Sequence, residues 1–107
     1  MEHAHARPRR IAGVLPVFQT PYHDDETIDF ATLEREIGWL FNHGADGIVM
    51  AMVSETLRLS SEERRALARA ACEIGRSRGV VVISVGAESS RVAADYARHA
   101  ESVGADA

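Results

Sequence analysis

From residue 13 onward the chain repeats one phrase three times: a short apolar run, a polar loop, then a longer stretch whose apolar residues return every three or four positions. The first run, Gly13 to Pro21, reads as a strand covered on both faces. Pro16 lies inside it and has no N–H to donate, which counts against a fully paired central strand. A polar loop from Tyr22 to Thr27 leads to Asp29, a plausible N-cap. Phe30, Leu33, Ile37, Leu40 and Phe41 then recur at helical spacing, and Gly44 supplies the stop.

The second phrase has Gly47 to Met52 as its strand. Ser60 and Glu63 follow at the spacing of a capping box, in which each side chain satisfies the other's unpaired backbone N–H. Leu67, Ala70, Ala71 and Ile74 form the expected buried stripe, with Arg64, Arg65, Arg69 and Arg76 mostly on the solvent side. The third opens at Gly79 with Val80 to Ile83, a β-branched run without polar alternation that asks for cover on both faces. Ser89 or Ser90 caps a helix with the stripe Val92, Tyr96, Ala100 and Val103, and Gly104 ends it.

Three strand-helix units at spacings of about thirty residues predict α/β architecture with right-handed crossovers. A doubly wound sheet and a (β/α)8 TIM barrel both fit. The doubly wound dinucleotide fold calls for Gly-x-Gly-x-x-Gly in the first turn after a strand, and Gln19 to Asp24 holds no glycine. The barrel is therefore favoured, and a barrel needs roughly 250 residues. Gly44-Ala45-Asp46 introduces the second strand, and the same triplet returns at Gly104-Ala105-Asp106 just before the last residue, Ala107. The expectation is the first three βα units of a barrel, truncated at the start of the fourth strand, with residues 1–12 a flexible tail and 13–107 a partial barrel domain.

Charge and composition narrow the function. Twelve basic groups against sixteen acidic ones do not make a nucleic-acid surface, so the expected partner is a small molecule or another protein. All twelve basic residues are arginine, and without a lysine amine no Schiff base can form on these side chains. The single Cys72 sits in an alanine-rich helical stretch, fitting an inert buried thiol in a reducing compartment. No run approaches the roughly 18 apolar residues of a membrane span, and the first ten residues lack the apolar core of a signal peptide. A cytoplasmic location follows. His3 and His5 form a pair without a third ligand, and His43 and His99 fall near helix C-termini, so neither a metal nor another cofactor is expected.

In either architecture the chemistry belongs at the C-terminal ends of the strands: Thr20-Pro21-Tyr22, Ala51 to Glu55, and Ser84 to Ser89. Gly13 to Tyr22, Ile28-Asp29-Phe30, Gly44-Ala45-Asp46-Gly47-Ile48-Val49, Glu55, Leu59 to Arg64, and Val82 to Gly86 form an ordered set of segments. In that order they resemble the start of the dihydrodipicolinate synthase and N-acetylneuraminate lyase family. The resemblance implies a usually tetrameric TIM barrel, a lyase or aldolase that condenses or cleaves pyruvate-type 2-oxo acids through a lysine Schiff base. It also implies an essential tyrosine at the end of the fifth strand and the lysine at the end of the sixth, so these residues alone are expected to be inactive.

The resembled family ends its second strand in Gly-Thr-Thr-Gly-Glu or Gly-Ser-Thr-Gly-Glu, whose hydroxyls and backbone N–H groups hold the substrate carboxylate. Aligned through the glutamate, this chain reads Ala51-Met52-Val53-Ser54-Glu55, and both hydroxyl positions are apolar. A carboxylate removed from water wants charge-assisted donors, each contributing roughly 1.5–3 kcal/mol. Met52 cannot relay a proton as the family's first hydroxyl does. Val53 and Ser54 are the expected carboxylate binders, through backbone N–H groups and the Ser54 hydroxyl. Glu55 is an acceptor that orders the loop or a solvated carboxylate. Thr20 and Tyr22 shape the turn beside Pro21, and Gly86 permits close approach or a tight turn. A second expectation, of a different class, is a non-catalytic fragment that acts through self-association or a partner chain, because an incomplete barrel exposes strand edges.

Overall fold

The computed structural model describes residues 9–107. The first eight residues of the expected tail, His3 and His5 among them, lie outside these described residues. Arg9, still within the expected tail, has its guanidinium donating to the carbonyls of Arg76 and Gly79.

The elements run α1 (Phe30–Asn42), β1 (Gly47–Met50), a 3-10 turn (Met52–Ser54), α2 (Ser61–Gly75), β2 (Val80–Ile83) and α3 (Ser90–Val103). Each helix begins where a side-chain oxygen accepts an otherwise orphaned N–H: Asp29 from Thr32, Ser60 from Glu63, Ser89 from Val92. The Ser60 and Glu63 capping box forms in both directions. Gly44 and Gly104, at φ of +99° and +103°, take the left-handed conformation that ends α1 and α3.

β1 and β2 pair in parallel from Gly47 opposite Val80 to Met50 opposite Ile83. β1 stops two residues short of the expected Met52, because residues 52–54 curl into the 3-10 turn. The first expected strand is not a full strand either. Residues 14–18 run alongside β1 with one ladder bridge, Val17 to Val49, made by Val49 N–H to Pro16 O at 2.9 Å and Phe18 N–H to Val49 O at 3.1 Å. The next rung toward the start of the segment requires an N–H at residue 16 directed at Gly47 O, and Pro16 has none.

The other border of the sheet provides an internal control. Asp106 N–H donates to Val81 O at 2.8 Å while its carboxylate accepts Val81 N–H at 2.9 Å. Asp46 does the same to Val14, N–H to O at 2.8 Å and N–H to carboxylate at 2.7 Å. In the later unit Ile83 N–H goes on to Ala107 O at 2.9 Å, which is the rung that Pro16 cannot make in the earlier one. The Gly-Ala-Asp repeat is therefore a register clamp used twice. Gly13 is held at φ +91°, and a Cβ there would lie 2.1 Å from an Asp46 carboxylate oxygen, so the first clamp requires glycine.

The helices cover one face of the sheet. Leu33, Ile37 and Phe41 of α1, Leu67, Ala71 and Cys72 of α2, and Ala100 of α3 bury Ile48, Met50, Val81 and Ile83. Leu33, Ile37, Ile48 and Leu67 are fully buried, each contributing on the order of 1.5–3 kcal/mol by its removal from water. Val17, Val49 and Val82 stand in register across the other face, where Val17 is exposed and the other two half-buried. The expectation that both faces would be covered holds for one face only among the described residues. Among the described residues no helix is long and apolar enough to cross a membrane.

Candidate functional site

Three segments meet at the C-terminal ends of the strands: Thr20 to Tyr22, the loop between β1 and α2, and the loop between β2 and α3. A hydroxyl joins the first two. Ser54 is fully buried; its Oγ accepts the Ala51 N–H at 3.2 Å and donates to Phe18 O. The hydroxyl is thereby inserted into the parallel ladder at the rung beyond Val49, between the two groups that would otherwise pair directly. Thr20, also buried, donates its hydroxyl to Ser54 O at 2.5 Å. Ser54 N–H closes the turn on Ala51 O at 2.9 Å. Every polar group of Ser54 is engaged internally, so its hydroxyl and N–H do not face outward as a carboxylate binder requires.

Met52 and Val53 project to solvent, 72% and 54% exposed. Among the described residues the Val53 N–H has no paired acceptor. Glu55 closes the turn in the left-handed conformation at φ 64°. No backbone N–H among the described residues donates to its carboxylate, which instead borders a cleft of about 370 Å³ with Tyr22, Glu26, Arg58 and Glu63. Burial is the main cause that pushes the Tyr22 hydroxyl above its ordinary pKa, helped by the carboxylates of Glu55 and Glu63. Gly86 is neither crowded nor held at positive φ; an added Cβ would meet only Ser84 Oγ at 3.9 Å.

Arg64 corrects the sequence reading outright. Placed on the solvent side by its spacing, it is 5% exposed, with its guanidinium 4.1 Å from the centre of the Tyr96 ring. One nitrogen donates to Gly86 O at 2.7 Å and to Ser84 O at 3.2 Å. Helical periodicity misses it because the first turn of α2 is overhung by the β2–α3 loop, a tertiary fact with no local signal. Arg64, Met52, Thr56, Leu57, Gly86 and Tyr96 border a groove of about 790 Å³ between the two loops. No group of three or more His, Cys, Asp or Glu among the described residues is placed to hold a metal ion.

The chain has counterparts among known proteins. The dihydrodipicolinate synthetase family model matches residues 10–107. The chain belongs to that family. It is 39% identical over 95 residues to a 4-hydroxy-tetrahydrodipicolinate synthase of Acidiphilium cryptum, covering 88% of this chain and 32% of that protein. It is 31% identical over 99 residues to a probable 2-dehydro-3-deoxy-D-pentonate aldolase of Escherichia coli, covering 92% and 33%. Among solved structures, a prophage protein of the dihydrodipicolinic acid synthase family from E. coli, in complex with pyruvate, superposes with a TM-score of 0.85 at 29% identity, covering 89% and 32%. The chain thus spans about a third of the length of these family members. The synthase and aldolase names support a lyase-type function for the full-length members of the family.

Proposed function

We propose that this chain forms the first three βα units of a (β/α)8 barrel that acts as a class I lyase or aldolase on a pyruvate-like 2-oxo acid. The observation that carries the reading is the family match over residues 10–107, joined to the gathering of the three rim segments at one end of the sheet. The clamp of Asp106 and Ala107 onto β2 agrees with a fourth strand entering there. The Val53 N–H binds the substrate carboxylate, while Ser54 and Thr20 hold the turn that presents it. Met52 leaves the relay position without a hydroxyl, so the substrate's proton traffic passes through groups outside these residues. Tetrameric assembly and a cytoplasmic setting accompany the reading by family likeness.

Since none of the 107 residues is lysine, the Schiff-base amine must belong to the later barrel units. Incubation with pyruvate and borohydride, followed by mass measurement, tests this. The 107-residue chain is expected to gain nothing, and a protein that continues through all eight units to gain one reduced adduct. Absence of the adduct from the longer protein removes the enzymatic reading.

The uncovered row of Val17, Val49 and Val82 favours a second reading, in which the chain by itself acts through self-association. Light scattering separates the two: a cooperatively melting monomer excludes association.

A further inference from the structure

We infer that Arg64 is a positioning residue for the third rim segment: it is the strut that fixes the path of residues 84–89 as the chain leaves β2. The proposal rests on the barrel reading only for what the rim is used for; the strut itself is a property of the described residues.

The geometry is specific to one side chain. Ser84 is held from both sides, its N–H by Met50 O at 2.8 Å on β1 and its carbonyl by Arg64 on α2. The same guanidinium nitrogen holds the Gly86 carbonyl two residues on, at 2.7 Å. Beneath it lies the Tyr96 ring of α3, itself fixed through a hydroxyl contact of 2.9 Å to Ser61. Ser61 and Arg64 are three residues apart on α2 and so share a face. One cation therefore joins the loop, α2 and α3. The flat guanidinium face that stacks on the ring belongs to arginine and not to lysine.

The loop has little else to order it. Gly86 is under no steric or positive-φ requirement, so its conformational freedom must be restrained from outside. Among the described residues Arg64 also has no carboxylate partner. A buried guanidinium satisfied by main-chain carbonyls instead of a counter-charge puts its hydrogen-bonding capacity into backbone placement. The groove bordered by Met52, Thr56 and Leu57 on one side and by this loop on the other keeps its width only while the strut is in place.

The test compares native-state cleavage by a glutamate-specific protease at Glu88, inside the loop, with cleavage at Glu55, in the neighbouring loop, in the 107-residue chain. Arg64→Met keeps the apolar stem and removes the donors. It is expected to raise the Glu88 rate roughly ten- to a hundredfold, the loss of one or two charge-assisted hydrogen bonds, with Glu55 unchanged. Arg64→Lys, which keeps a charge and a donor but not the flat face stacked on Tyr96, is expected to fall between Arg64→Met and the parent chain. Lowered backbone order parameters confined to residues 85–88 accompany the change. Equal acceleration at both sites means that Arg64 serves only overall stability, and no acceleration means that the loop is ordered without it; either overturns the proposal. Should Arg64→Met not fold, Arg64→Lys decides by the same ratio. Neither readout involves substrate, so failure to trap pyruvate on a longer protein would sink the function and leave the strut standing.

Discussion

Ser54→Ala is the sharpest probe of the rim. The hydroxyl lies in a fully buried position, accepts one backbone N–H from Ala51 and donates to one backbone carbonyl of Phe18. Alanine fits the space but orphans both partners, and each unsatisfied buried backbone group costs about 1–3 kcal/mol. Water has no route to a site at 0% exposure, so the expected loss is about 2–4 kcal/mol, a large part of the stability of a domain this size. Ser54→Gly, which restores the residue found in the resembled loop, adds roughly 0.5–1 kcal/mol of backbone entropy. Urea unfolding followed by far-ultraviolet circular dichroism measures both. Trp39, 59% exposed and stacked on His43, is a poor fluorescence reporter for this end of the sheet. Thr20→Val removes the hydroxyl that grips Ser54 O, and the double variant is expected to be less costly than the two single losses added, because the sites share one clamp. A Ser54→Ala protein within about 0.5 kcal/mol of the parent, with its Ala51 amide still protected from exchange, would refute the reasoning. The ladder would then have closed directly from Ala51 N–H to Phe18 O, and the hydroxyl would be a passenger.

Pro16→Ala supplies the missing N–H opposite Gly47 O. A newly protected amide at residue 16 is expected with a stability change near zero, since about 0.5–1.5 kcal/mol from the bond offsets about 0.4–1 kcal/mol of regained unfolded-state freedom. Gly38 lies inside α1 with nothing within 4 Å of an added Cβ, so Gly38→Ala is expected to stabilise by about 0.5–1 kcal/mol in thermal or urea unfolding. His99 has a buried Nε2 without a partner, and burial first, then Arg69 and Arg65, lowers its pKa below the ordinary 6.5. With the folded value the lower one, His99 stabilises the fold above pH 6.5 and that contribution is lost as pH falls through the folded value. The difference in unfolding free energy between the parent and His99→Gln should therefore shrink on acidification from pH 7 to 5; a constant difference contradicts the assignment.

What could be read from the sequence was what is local. The N-cap at Asp29 and the box of Ser60 and Glu63 need only three or four residues to declare themselves, and they form as expected. The apolar stripes of α1 and α2 and the β-branched run of β2 also announce their burial, since periodicity alone decides which face turns inward. The first strand is shorter than its apolar run suggests: Pro16 is the warning in the sequence, but only the register shows which rung it deletes. The failures at the rim are of one kind. Ser54 reads as a donor to substrate and Arg64 as a surface cation, yet the contacts that turn them inward, Ser54 with Phe18 and Thr20 and Arg64 with Ser84 and Gly86, span 20 to 36 residues and follow no period. A hydroxyl that could bind a ligand and one that completes a ladder look alike in one dimension. Composition did settle one chemical matter, since the absence of lysine holds whatever the fold.

The twin contacts of Asp46 and Asp106 bear on how such a molecule is assembled. Each carboxylate finds its mate in the strand segment immediately before it, so a newly made module can locate its alignment from its predecessor without waiting for anything downstream. Growth can proceed one module at a time from the amino end, with sliding arrested at the two steps that carry the acid, while β2 joins β1 through backbone pairing alone. A module could be copied or exchanged between sequences, provided that this acid and the amide facing it travel together.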